Sequence, residues 1–93
     1  MDSIVVYSMP FCPNCDTLKN YLKSLQTPFM EMDLEDDDVN VNLIYDGVVP
    51  TEAPLMKIKG KYFEPSNLFA GGRLNIDFIQ TTITGAMNGF SGN

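Results

Sequence analysis

Cys12 and Cys15 are the only cysteines among the 93 residues, and Pro13 and Asn14 separate them. Two thiols at this spacing can close a short disulfide or supply half of a four-thiolate metal site. In disulfide exchange the thiolate is the nucleophile, and a free thiol with a pKa of about 8.5 is only about 3 % ionised at pH 7. A helix start alters that balance, because its unpaired N–H groups and partial positive charge favour the anion. A downward shift of about 1.5 units, roughly 2 kcal/mol, brings about half of the molecules to the thiolate. The chemistry available is then thiol–disulfide exchange, with Cys12 attacking and Cys15 resolving. The chain has no histidine, which removes His-based catalysis and most zinc sites.

That chemistry requires a strand, a turn and a helix in this order, and the flanking residues supply them. Ile4, Val5, Val6 and Tyr7 form an unbroken apolar run, the pattern of a short strand buried on both faces. Pro10 stops the strand, and Pro13 suits the first helical turn, where a missing N–H costs nothing. Leu18, Leu22 and Leu25 then recur at helical spacing. Cys12 falls at the helix N-terminus and Cys15 one turn inside it.

Composition sets the outer limits. Ninety-three residues make one small domain, 1–93, and a hydrophobic share of 44 % is enough for a core without disulfide staples or a metal. Asp2 and Ser3 stand where a signal peptide carries basic residues, and no stretch is long enough to cross a membrane. A reducing, cytoplasmic setting is expected, where a disulfide is more often catalytic than structural. The net charge of −6 argues against nucleic acid as a partner. Lys57, Lys59 and Lys61 read as a solvated strand and turn rather than a docking patch.

Further along, Thr27-Pro28 ends the helix, and Phe29 to Leu34 alternates as a half-exposed edge strand parallel to the first. Met30 and Met32 read there as core filler rather than ligands. Glu35 to Asp38 places carboxylates at the start of a second helix, which ends near Asp46-Gly47; the run lacks the spacing and glycine of a calcium loop. Leu55 to Ile58 and Tyr62-Phe63, joined through Gly60, form an antiparallel hairpin. Pro65, Ser66 and Asn67 read as a turn and helix cap, followed by a last helix interrupted or restarted at Gly71-Gly72, with Leu74, Phe78, Ile79 and Ile83 on one face. Residues 85–93 read as a flexible tail.

The order β-α-β-α-β-β-α, opening on Tyr7-Ser8 and then Cys12-Pro13-Asn14-Cys15, resembles the glutaredoxin family of the thioredoxin superfamily over roughly residues 3–84. The resemblance implies an α/β, thioredoxin/glutaredoxin-like fold: a four-stranded mixed sheet flanked by helices. It also implies a dithiol oxidoreductase with catalytic Cys12 and Cys15, and substrate contacts at Tyr7, Pro13, Ala53, Pro54, Ser66 and Asn67. Ala53-Pro54 falls where the family carries a cis-proline, beside which the backbone of Ala53 pairs with an extended substrate segment. Ser66 and Asn67 would offer a hydroxyl and a helix start to a carboxylate.

Two positions depart from the glutaredoxin pattern. Met9 replaces the lysine that holds a glutathione carboxylate, and Phe63-Glu64-Pro65-Ser66-Asn67 lacks the usual Gly-Gly pair. Both changes should weaken glutathione binding. Glu52-Ala53-Pro54 and Phe63-Glu64-Pro65-Ser66-Asn67-Leu68 are similar instead to segments of NrdH-type redoxins, which thioredoxin reductase reduces and which serve ribonucleotide reductase; Glu64 stands where those carry an arginine.

The implied partners are disulfide-containing proteins, ribonucleotide reductase among them, with glutathione or thioredoxin reductase as reductant. No tightly bound cofactor is expected, with glutathione as a co-substrate, and a monomer is expected. Two other readings use the same cysteines. One is an iron–sulfur or metal carrier, in which a dimer or glutathione completes the ligand set around Cys12. The other is a non-catalytic module with a structural Cys12–Cys15 bridge, although so short a loop gains little from a cross-link.

Overall fold

The computed structural model describes residues 4–49 and 51–88. Its central element is β1 (Ile4–Ser8), in which Ile4, Val6, Tyr7 and Ser8 are buried. The helix α1 (Pro13–Ser24) follows, with Cys12 as N-cap, Pro13 in the first turn, Asp16 near the start and Lys23 near the end, each suited to the helix dipole. Cys15, Leu18 and Leu22 share its buried face. The helix stops at Leu25, where Gln26 adopts φ 54° and the N–H of Thr27 bonds back to the carbonyl of Leu22. Its end is therefore a left-handed cap without a glycine.

Next come β2 (Met30–Asp33), α2 (Asp37–Tyr45), β3 (Leu55–Ile58) and β4 (Lys61–Phe63). Asp36 caps α2, its carboxylate accepting from the N–H groups of Asp38 and Val39 at 2.9 and 3.3 Å. At the other end Gly47, at φ 82°, closes the helix as Val48 N–H bonds to the carbonyl of Leu43. The acidic run thus serves as a cap, as its sequence suggests. The β3–β4 turn places Lys59 and Gly60 both at positive φ, the tight-hairpin geometry.

Strands order as β2-β1-β3-β4. β1 pairs in parallel with β2, Val6 opposite Glu31, and antiparallel with β3, Tyr7 opposite Leu55. β3 pairs antiparallel with β4. Alternation divides the side chains between two cores. Ile4, Val6, Met56 and Ile58 pack with Leu18 and Leu22 on one face, joined there by Leu68, Ile79 and Ile83. On the other, Tyr7 and Leu55 pack with Leu34 and Leu43.

Beyond β4 the chain differs from its sequence reading. Glu64, not Ser66 or Asn67, is the N-cap of a four-residue helix, α3 (Pro65–Leu68). Between it and the last helix lies a small hairpin, β5 (Phe69–Ala70) and β6 (Arg73–Leu74). Gly71 and Gly72, both at positive φ, form its turn, so this Gly-Gly pair is a hairpin signal and not a break within a helix. The last helix, α4 (Ile76–Asn88), starts at Asn75, whose side-chain oxygen accepts from Phe78 N–H at 3.2 Å. It continues past Gly85, where the sequence reading begins a tail; residues 89–93 of that tail lie outside the described residues. Met30 is also not core filler: it is 53 % exposed on the edge strand, while Met32 packs against the Tyr7–Leu43 core. The short α2 docks Leu43 over Tyr7 and Leu55, leaving the Met30 end of β2 exposed.

Leu18→Ala should lower stability by about 2–5 kcal/mol, because a fully buried side chain leaves a cavity behind. Met30→Gln should change it by less than about 0.5 kcal/mol. Urea denaturation of both variants checks the contrast.

Candidate active site

The cysteine turn leaves the end of β1 and enters α1, so the helix start faces the space above the sheet edge. Cys12 is extended, at φ −116° and ψ 99°, and its sulfur accepts the backbone N–H of Cys15 at 3.1 Å. The two sulfurs are joined as a disulfide, with Cα atoms 5.2 Å apart. Their exposure differs: Cys12 is half-buried, whereas Cys15 is 1 % exposed among the core residues of α1. The outer sulfur is the one that a second molecule can reach.

Strand register brings the neighbouring loop to the same place. With Tyr7 opposite Leu55 in an antiparallel pair, Pro54 and Ala53 fall beside Ser8 and Met9, at the root of the cysteine turn. The Ala53–Pro54 peptide is cis, as the resemblance implies, and Pro54 is buried while Ala53 is half-buried. Since Met56 lies opposite Phe63, Glu64 and α3 meet this end of the sheet as well. Pro13 is exposed in the first turn of α1.

Other expected contact residues are differently engaged. The ring of Tyr7 lies in the core, 6.2 Å from that of Tyr62, and burial pushes its phenol pKa up. Tyr62 donates to Asp46 Oδ2 at 2.5 Å; Lys57 Nζ lies 3.8 Å from the same oxygen and 5.1 Å from the Tyr62 ring centre. Burial, followed by that hydrogen bond, raises the Tyr62 pKa too. Lys57 is thereby partnered rather than simply solvated. Ser66 is exposed, and Asn67 spends its side-chain oxygen on the N–H of Glu64 at 3.1 Å.

A polar network under the turn escaped the sequence reading. Ser8, buried at the end of β1, donates to Glu31 Oε2 at 2.7 Å, and Lys19 reaches the same oxygen at 2.7 Å. Lys19 also lies 3.7 Å from Asp16. The hydrogen bond from Lys19, then that from Ser8, holds the Glu31 carboxyl below its usual range, and the Glu31 partner raises Lys19. The parallel pairing of β1 with β2 brings Ser8 near Glu31, the docking of α1 adds Lys19, and no local motif announces either. Phe11, at φ 57° and wholly exposed, was also passed over.

A dithiol turn at a helix start, a cis-proline loop beside it and a four-stranded mixed sheet define a thioredoxin-fold redox protein. The chain is similar to the thioredoxin-like protein BC3987, with a TM-score of 0.63, 27 % identity and coverage of 85 % of this chain and 97 % of that one. A mutant of the same protein matches with a TM-score of 0.65 at 26 % identity, covering 87 % of this chain and 99 % of that one. No curated protein sequence matches. The glutaredoxin family model matches residues 4–48, the segment holding β1, the cysteine turn, α1, β2 and α2. The chain therefore has the thioredoxin fold, its first half is similar to the glutaredoxin family, and its Cys12–Cys15 pair supports thiol redox chemistry. Among the described residues, no helix is long and apolar enough to cross a membrane.

Because Glu31 is held ionised, it contributes stability above the ordinary carboxylate range that is lost as pH falls through its lowered pKa. Glu31→Gln should therefore reduce the stability difference between pH 7 and pH 3 by about 0.5 kcal/mol, a value discounted for solvent screening. Denaturant titrations at the two pH values measure it.

Proposed function

We propose that this chain reduces disulfides in proteins by thiol–disulfide exchange, with Cys12 as the attacking sulfur and Cys15 as the resolving one. The observation that carries this reading is the unequal setting of the two sulfurs. Cys12 is reachable at the helix cap, where it accepts an N–H, and Cys15 is enclosed. In the reduced protein that N–H and the helix start favour negative charge on Cys12.

The Cys12 thiolate attacks one sulfur of the substrate disulfide, whose S–S bond breaks. The departing sulfur leaves with the electron pair and takes up a proton, and a mixed disulfide remains. Cys15 then loses its proton and attacks the Cys12 sulfur, which expels the second substrate thiol and restores the Cys12–Cys15 bridge. Two electrons and two protons have passed to the substrate. An external dithiol reductase or two molecules of glutathione must return them.

Pro13, Ala53 and Pro54, gathered at the turn, are the residues we assign to contact with the substrate segment. A thioredoxin-reductase-type enzyme suits this chain better as reductant than glutathione does. Met9 offers no cation to a carboxylate, Asn67 is occupied by Glu64, and Glu64 adds a negative charge at the start of α3. The electron acceptor is a protein of the reducing cytoplasm, for which ribonucleotide reductase is one candidate.

Cys12→Ser should abolish turnover, and Cys15→Ser should accumulate a mixed disulfide visible by mass spectrometry under non-reducing conditions. Equal residual turnover in both variants would contradict the assigned roles. NADPH oxidation with the oxidised protein and thioredoxin reductase should outpace that with glutathione and glutathione reductase by more than about tenfold; the reverse order overturns the proposed reductant.

A further inference from the structure

Resting on the exchange reading above, we propose that the substrate is a protein segment whose disulfide is flanked by lysine or arginine and by an apolar side chain that seats on Phe11. The argument begins with Phe11 itself. It immediately precedes Cys12, its backbone is left-handed at φ 57°, and its side chain is wholly exposed. A bulky aromatic rarely adopts that conformation, which costs of the order of what a single buried hydrogen bond contributes, and an exposed phenyl ring gains nothing from the core. Glycine or asparagine would satisfy the turn at less cost. The neighbouring Met9 is 40 % exposed, so the lip of the cysteine turn carries an apolar patch beside the reactive sulfur.

Charge on both sides of this lip selects what can cover it. Toward β2, a groove is lined by Ser8, Met9, Pro10 and Phe11 together with the carboxylates of Asp16, Glu31 and Asp33. Its one cation, Lys19, is held by Glu31 and Asp16. Toward β3 and β4, a second groove runs between Val48, Val49 and Thr51 and the α3 corner, and carries Glu52 and Glu64. Both of these glutamates are exposed. The cations gather elsewhere: Lys59 and Lys61 flank the β3–β4 turn at the opposite end of the sheet, Lys57 pairs with Asp46, and Lys23 ends α1. Arg73 sits on the small hairpin. A cationic segment laid across Cys12 is attracted on both flanks, whereas an acidic segment meets like charge on both.

The test uses two disulfide-bonded peptides of one sequence with a leucine beside the cysteine, flanked by lysines in one and by glutamates in the other. Hydroxyethyl disulfide serves as a neutral small substrate, and the protein is first reduced and freed of reductant. At low ionic strength the lysine peptide should be reduced at least tenfold faster than the glutamate peptide, and 0.5 M NaCl should compress that ratio. The double variant Glu52→Gln/Glu64→Gln should lower the ratio at least threefold. Phe11→Gly should lower the rate on the lysine peptide relative to hydroxyethyl disulfide at least threefold, with no loss of thermal stability. Equal rates on the two peptides, or ratios unmoved by these variants while hydroxyethyl disulfide is reduced, overturn the inference and leave the exchange reading standing. Failure to reduce hydroxyethyl disulfide overturns both.

Discussion

The docking of α1 against β1 is the contact from which the rest of this site follows. Leu18 and Leu22 are wholly buried against Val6, Met56 and Ile58, and that packing sets where the helix begins relative to the strand end. Because the helix is amphipathic, the face that buries the leucines also buries Cys15. The cap residue, one turn earlier, is left at the rim. The chemical difference between two identical thiols thus comes from their positions along the helix axis, one at the cap and one a turn inside it.

The strand register adds the second layer. β3 runs antiparallel to β1, so the segment entering β3 must arrive beside the end of β1, and Glu52-Ala53-Pro54 is delivered to the cysteine turn. β4 returns antiparallel and sets Glu64 and α3 at the same end. This end of the molecule therefore collects residues from four distant parts of the chain. It also collects carboxylates, while the hairpin lysines are carried to the other end by the same strand directions. The cationic protein segment proposed as substrate rests on this charge distribution around the reachable sulfur.

Local physics made most of the frame readable from the residue order. β-Branched runs, proline stops, the Asp36 and Gly47 caps of α2 and the leucine spacing of α1 each depend on neighbours within one or two turns. The region after β4 was harder. Glu64 as a cap, the Gly71-Gly72 hairpin and the continuation of α4 through Gly85 depend on where the chain must pack, since Leu68, Ile79 and Ile83 all go into one core. Met30 was misread for a similar reason: alternation shows that it shares a face with Met32, but only the length and placement of α2 decide how far that face is covered.

The amino-acid order alone determined that two thiols lie at a helix start after a buried strand, because spacing, proline position and periodicity are local properties. It determined the dithiol chemistry for the same reason. Tertiary structure decided which sulfur faces outward, that Ser8 and Lys19 converge on Glu31, that Tyr7 belongs to the core, and that acids border the site on both sides. These are consequences of strand register and helix docking, which join residues far apart in the chain and leave no trace in any short window of it.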